Sequence, residues 1–115
     1  MFPLTTSRMY RRVATDHPLC YFQNQSFHQG RVRDLSLNGF RVEGQSGVRC
    51  NDMVMLRLWL PGAHGTIDID QAVVRWVKEQ EFGLQIIALS NESDLRLALH
   101  VERELERTAL HRLAG

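Results

Sequence analysis

"RVRDLSLNGFRVEG" (residues 31–44) holds two short runs of alternating apolar and polar side chains joined by Asn38-Gly39. Alternation at period two sends successive side chains to opposite faces of a strand. Asn-Gly between two such runs is the strongest short-range hairpin signal. The stretch therefore predicts two antiparallel strands, with Phe40 and Val42 facing one way on the second and Arg41 and Glu43 the other. The first strand changes phase within itself. Val32 has even parity while Leu35 and Leu37 have odd, so one inward face takes all three only with a bulge near Arg33-Asp34. A hairpin also leaves Asp34 and Ser36 unexplained, an acid and a hydroxyl two residues apart on the outer face.

The same period runs outward from this hairpin. "PLCYF" (18–22) reads as a first strand with "QNQS" (23–26) as its turn, and "FHQGRVRDLSL" (27–37) as the second. "FRVEG" (40–44) is the third. "DMVMLRLWLPG" (52–62) alternates with Val54, Leu56, Leu58 and Leu60 inward and Met55, Arg57 and Trp59 outward. "TIDIDQAVVRWV" (66–77) begins as an alternating strand and becomes apolar on both faces, and "EQEFGLQIIAL" (79–89) closes the series. After Leu89 the period changes. Leu97, Val101, Leu105 and Ala109 recur every four residues, a helical stripe. Ser90 or Asn91 caps it, with Glu92 and Asp94 in the first turn and His111 and Arg112 in the last, as the helix dipole favours. Six strands then one helix predict a mainly β protein, a six-stranded antiparallel barrel carrying a C-terminal α-helix. The expected layout is one domain over residues 1–115: an arginine-bearing lead-in (1–16), the barrel (17–89) and the helix (90–114).

Composition narrows the function. The formal net charge of +1 gives no bulk basic field for long nucleic acid. Thirteen of the fourteen basic residues are arginine, Lys78 being the exception. Arginine's planar fork grips phosphate and its flat face stacks on rings; a genome rich in G and C enriches arginine as well. Cys20 and Cys50 stand far apart, and the five histidines (17, 28, 64, 100, 111) have no metal-ligand spacing, so neither a disulfide framework nor a metal site is expected. The opening "MFPLTTSRMYRR" lacks a secretory apolar run, no segment reaches membrane-spanning length, and a cytoplasmic protein is expected. Asp68 and Asp70 share a strand face in the manner of a catalytic carboxylate pair, but exposed acids on an edge strand explain them more simply. No catalytic motif occurs, and an enzyme is not expected.

Two motifs remain. Arg8 and Arg12 stand four apart with Arg11 between them, in "RMYRR" (8–12). An Arg-x-x-x-Arg spacing carries little alone, since Arg103 and Arg107 repeat it on the helix. The pattern Asp34-x-Ser36-x-x-Gly39, in "DLSLNG" (34–39), is rarer. In this order around a first short strand, the pair resembles the ligand signature of the PilZ domain family. "LWLPG" (58–62), "AVVRW" (72–76), "FGLQI" (82–86) and the terminal helix extend the likeness over almost the whole chain.

The resemblance implies a receptor for cyclic di-GMP, a bacterial second messenger with two phosphates and two guanines, and no cofactor. Arg8 and Arg12 would offer forks to a phosphate or to guanine O6 and N7, with Arg11 as a third cation. Asp34, which only accepts, suits guanine N1–H and N2–H. Ser36 would donate to an oxygen from the same strand face, and Gly39 would take positive φ and admit the ligand. Trp76 has two readings, a stacking surface for guanine or a core residue. One of Arg31, Arg33 and Arg41, which flank the second motif, is expected to assist. In the family the N-terminal segment folds over the barrel face, which would make residues 1–16 a ligand-ordered switch serving an unidentified downstream protein. The alternatives are an adaptor of the same fold that binds no nucleotide, and a small barrel for single-stranded nucleic acid. The latter would need several outward aromatics, and only Trp59 and Trp76 offer themselves.

Overall fold

The computed structural model describes residues 11–44, 47–61 and 65–114, with side chains to Leu110. Six strands, β1 (Val13–Gln23), β2 (Ser26–Leu35), β3 (Gly39–Gly44), β4 (Met53–Trp59), β5 (Thr66–Lys78) and β6 (Glu81–Ala88), precede one helix, α1 (Asn91–Ala114). The strands form a closed antiparallel barrel in the order β1-β2-β3-β6-β5-β4, the predicted architecture. It consists of two three-stranded meanders, β1-β2-β3 and β4-β5-β6, joined where β3 meets β6 and β1 meets β4.

Inward positions follow the alternation. Val54, Leu56 and Leu58 are buried on β4, between exposed Met53, Met55, Arg57 and Trp59. Tyr21, Phe40 and Phe82 are the largest fully buried side chains, with Leu19, Val32, Leu35, Ile67 and Ile69 around them. The expected phase shift is present. Val32 pairs with Val42 and Asp34 with Arg41, so Arg33 is the extra residue of a bulge, and Val32 and Leu35 are both fully buried. Two further irregularities in β5 let Ala72, Val73 and Val74 all be buried and turn Trp76 outward, where it is 40% exposed. That resolves the stretch that read as apolar on both faces.

Strand β1 begins at Val13, five residues before the predicted first strand. Its inward positions include His17 and Gln23, whose polarity hides the alternation, and Thr15-Asp16 form an irregularity against β2. The turn at Asn24-Gln25 has positive φ at both residues (52° and 64°), as a primed hairpin turn requires. Asn38-Gly39 does not form such a turn. Neither residue has positive φ; Leu37 and Asn38 are the loop, and Gly39 already belongs to β3. Strand β5 lies between β4 and β6, so Asp68 and Asp70 are not on an edge; Asp68 is paired with Arg57 at 2.7 Å.

Helix α1 packs against β5 and β1. Ser90 is its cap, the hydroxyl accepting from the Ser93 amide at 3.0 Å. Leu97 and Val101 are buried and Leu105 half-buried, but Glu106 to Leu110 are all exposed, so the predicted stripe ends before Ala109 and the last turns project past the barrel. His100 joins the helix to β1, its Nε2 lying 2.9 Å from His17 Nε2. Among the described residues no helix is long and apolar enough to cross a membrane, and no cluster of His, Cys, Asp or Glu is arranged to hold a metal ion.

Candidate functional site

One cross-strand row organises the outer face. Ala14 pairs with Asp34, Asp34 with Arg41, Arg41 with Gly83, and Gly83 with Trp76, crossing β1, β2, β3, β6 and β5 in turn. Directly paired residues point to the same side of a sheet. The bulge at Arg33 is what puts Asp34 in this row while leaving Val32 and Leu35 inside.

Asp34 is the centre of a chain of charge. Arg12 Nη1 donates to Asp34 Oδ1 at 2.6 Å, and Arg41 Nε donates to Asp34 Oδ2 at 2.9 Å. Arg41 Nη1 in turn donates to Glu81 Oε2 at 2.9 Å. The Asp34 side chain is 19% exposed and that of Arg12 52%. The hydrogen bond to Asp34 holds the Arg41 guanidinium charged more firmly than usual. A second cluster lies alongside: Arg31 and Arg33 both pair with Asp16, and Arg33 also binds Glu43 at 2.6 Å. The Arg31 hydrogen bond keeps the Asp16 carboxyl below the ordinary carboxylate range. Of the three flanking arginines, Arg41 is the one on Asp34.

At the far end of the row the Trp76 indole fills the space above Gly83. A Cβ on Gly83 would meet the indole nitrogen at 2.0 Å, so only glycine leaves room for this placement. The half-exposed ring lies in the same cross-strand row as Arg41 and Asp34. The core reading of Trp76 is not what the structure has.

Ser36 sits otherwise than expected. Strand β2 ends at Leu35, and Ser36 is fully buried in the connection, not on the face carrying Asp34. Its hydroxyl donates to Asn38 Oδ1 at 2.7 Å and accepts from the Asn38 amide at 3.3 Å. Its amide donates to Gly39 O at 2.9 Å. Gly39 lacks the positive φ expected of it. A Cβ there would lie 2.2 Å from the Leu84 carbonyl oxygen, so the glycine lets β3 approach β6. These two residues build the turn that aims Asp34. Arg11 is exposed next to Arg12, and Arg8 lies outside the described residues.

Sequence reasoning singled out Arg12, Asp34 and Trp76, which share this face, but missed Glu81 and Gly83. Their only sequence signal is register: Glu81 and Gly83 become neighbours of Arg41 once β3 is paired with β6. A second surface lies elsewhere. Phe22, Phe27, Met55 and Trp59 line an apolar groove between β1 and β4, edged by Asp68 and Asp70; Phe27 is 74% exposed. The outward aromatics thus divide between two faces.

A family model described as the PilZ domain matches residues 6–103. No curated protein sequence matches. Among solved structures, the inhibitor of motility MotI/DgrA of Bacillus subtilis superposes with a TM-score of 0.72 at 18% identity, covering 86% of this chain and 52% of that one. This chain thus spans about half the length of that protein. The PilZ domain of YcgR from Escherichia coli, solved with c-di-GMP, gives 0.67 at 15% identity, covering 87% and 95%. The PilZ domain of CeSA from a cellulose-synthesizing bacterium gives 0.66 at 17% identity, covering 80% and 98%. At these identities the likeness carries the fold.

Proposed function

Since the chain belongs to the PilZ domain family, we propose that it is a cyclic di-GMP receptor, acting by binding and not by catalysis. The observation that carries this reading is Asp34, a partly exposed carboxylate at the outer face between two arginines, with an exposed indole further along the same row. Asp34 offers two acceptor oxygens to the N1–H and N2–H edge of guanine. Arg8, Arg11 and Arg12 supply forks for phosphates or for guanine O6 and N7, and Trp76 a face for a base. Ser36 and Gly39 act through the turn that sets Asp34.

Arg12 occupies Asp34 Oδ1 in the structure. An exposed ion pair is worth at most about 1 kcal/mol, so a guanine edge displaces it at small cost. The freed Arg12 then turns to the ligand. That rearrangement is the signal a protein partner reads. The structure solved with c-di-GMP among the similar folds supports the ligand class. A second reading, an adaptor that binds no nucleotide, draws on the apolar groove between β1 and β4.

Calorimetric titration with cyclic di-GMP, GTP and cyclic di-AMP separates the two. Micromolar or tighter binding of cyclic di-GMP alone is expected. Folded protein that ignores all three nucleotides leaves the adaptor.

A further inference from the structure

Resting on the receptor reading, we infer that Arg41 and Glu81 form a positioning pair that fixes Asp34 for the edge of guanine and so sets the choice of base. A carboxylate reads a two-donor edge only if both oxygens face it, which requires the group to be held against rotation about its side chain. Arg12 is poorly suited to hold it. It precedes β1, is half exposed, and among the described residues makes one ion pair. Arg41 is suited in three respects. It lies on β3 directly across from Asp34. Its guanidinium spans two carboxylates, Nε to Asp34 and Nη1 to Glu81, each at 2.9 Å. The space above Gly83, its partner on β6, is filled by the Trp76 indole, which closes the alternative direction.

Glu81 completes the device. It stands on β6 two residues from Gly83, so its backbone is fixed by the same ladder that fixes Arg41. Without it, Arg41 would keep one anchor and gain rotational freedom. The order of events follows from the number of anchors. Arg12, with one, leaves Asp34 when guanine arrives. Arg41, with two, stays and keeps Oδ2 in place. Arg12 therefore takes the place that the ligand's N–H donors would take, while Arg41 and Glu81 keep their bonds when the nucleotide binds.

The test is calorimetry on the full chain with cyclic di-GMP and with cyclic di-IMP, whose base lacks only the N2 amino group. Wild type is expected to prefer cyclic di-GMP by at least about ten-fold, the worth of a hydrogen bond to a charged group. Arg41→Ala should weaken cyclic di-GMP by about ten-fold and cyclic di-IMP far less, bringing the preference within about three-fold. Arg41→Lys keeps the charge but not the two-ended fork, and should lose the preference likewise. Glu81→Gln, which keeps the size of the side chain and removes its charge, should reduce it by about two- to three-fold.

Variants that keep the wild-type preference, or lose both nucleotides equally, overturn the inference and leave the receptor reading standing. Wild-type rescue by Arg41→Lys also overturns it, since charge alone would then suffice. A folded wild-type chain that binds neither nucleotide overturns both.

Discussion

Asp34, held between Arg12 and Arg41, is the residue on which the proposed binding turns. Arg12→Ala and Asp34→Ala should each weaken cyclic di-GMP by at least about ten-fold, because contacts to charged groups are worth about 1.5–3 kcal/mol. Titration of both variants, with unchanged circular dichroism, checks it; wild-type affinity in both would move the site elsewhere. Gly39 makes the opposite kind of prediction. With the Leu84 carbonyl 2.2 Å from where a Cβ would sit, Gly39→Ala should cost about 1–3 kcal/mol of stability, as overpacking does. A urea midpoint equal to wild type would contradict this. Both residues were legible from the pattern Asp-x-Ser-x-x-Gly, but the tasks of two of its members were not. A motif states which residue types occur together. It does not state that Ser36 turns its hydroxyl onto Asn38, because that depends on where β2 ends.

At the level of elements, the alternation located every strand, and the parity break between Val32 and Leu35 located the bulge. What stayed hidden was polar residues at inward positions. His17 faces the inside of β1, so the strand's first half reads as loop, and Gln23 faces inside at its last residue. Gln23 is bonded there to Asp52, and His17 to Thr15 at 2.7 Å and to His100 on α1. The joint between barrel and helix is thus titratable. Burial holds the His17 pKa below the ordinary 6.5; Glu104 and Asp16 oppose this, while Arg31 and Arg107 add to it. As pH falls through 6.5 the unfolded chain takes up this proton before the folded one, so stability declines from that point down to the lower folded value. Melting between pH 7.5 and 5.5 should show the decline, and His17→Gln should flatten it. An equal slope in the variant would remove His17 as its source.

For the whole molecule the meander arrangement matters most. Arg12, Asp34 and Arg41 belong to the first meander, Trp76, Glu81 and Gly83 to the second. The site spans the β3–β6 junction, and no stretch of sequence contains it. That is why local pattern found Arg12, Asp34 and Trp76, while Glu81 and Gly83 came to light only once β3 was paired with β6. A ligand at 100 times its dissociation constant adds about 2.7 kcal/mol, which for a domain of this size raises the melting temperature by roughly 10 °C. Thermal denaturation with cyclic di-GMP checks this, and GTP at the same concentration should leave the midpoint in place.

The junction has one more consequence. Its pairs, such as Phe40 with Leu84 and Val42 with Phe82, join residues some forty positions apart, and contacts of that span form late. A nascent or partly opened chain therefore has both halves of the candidate site but not the site itself. Under the proposed function only a closed barrel would bind the nucleotide, so binding would also report that the chain has finished folding.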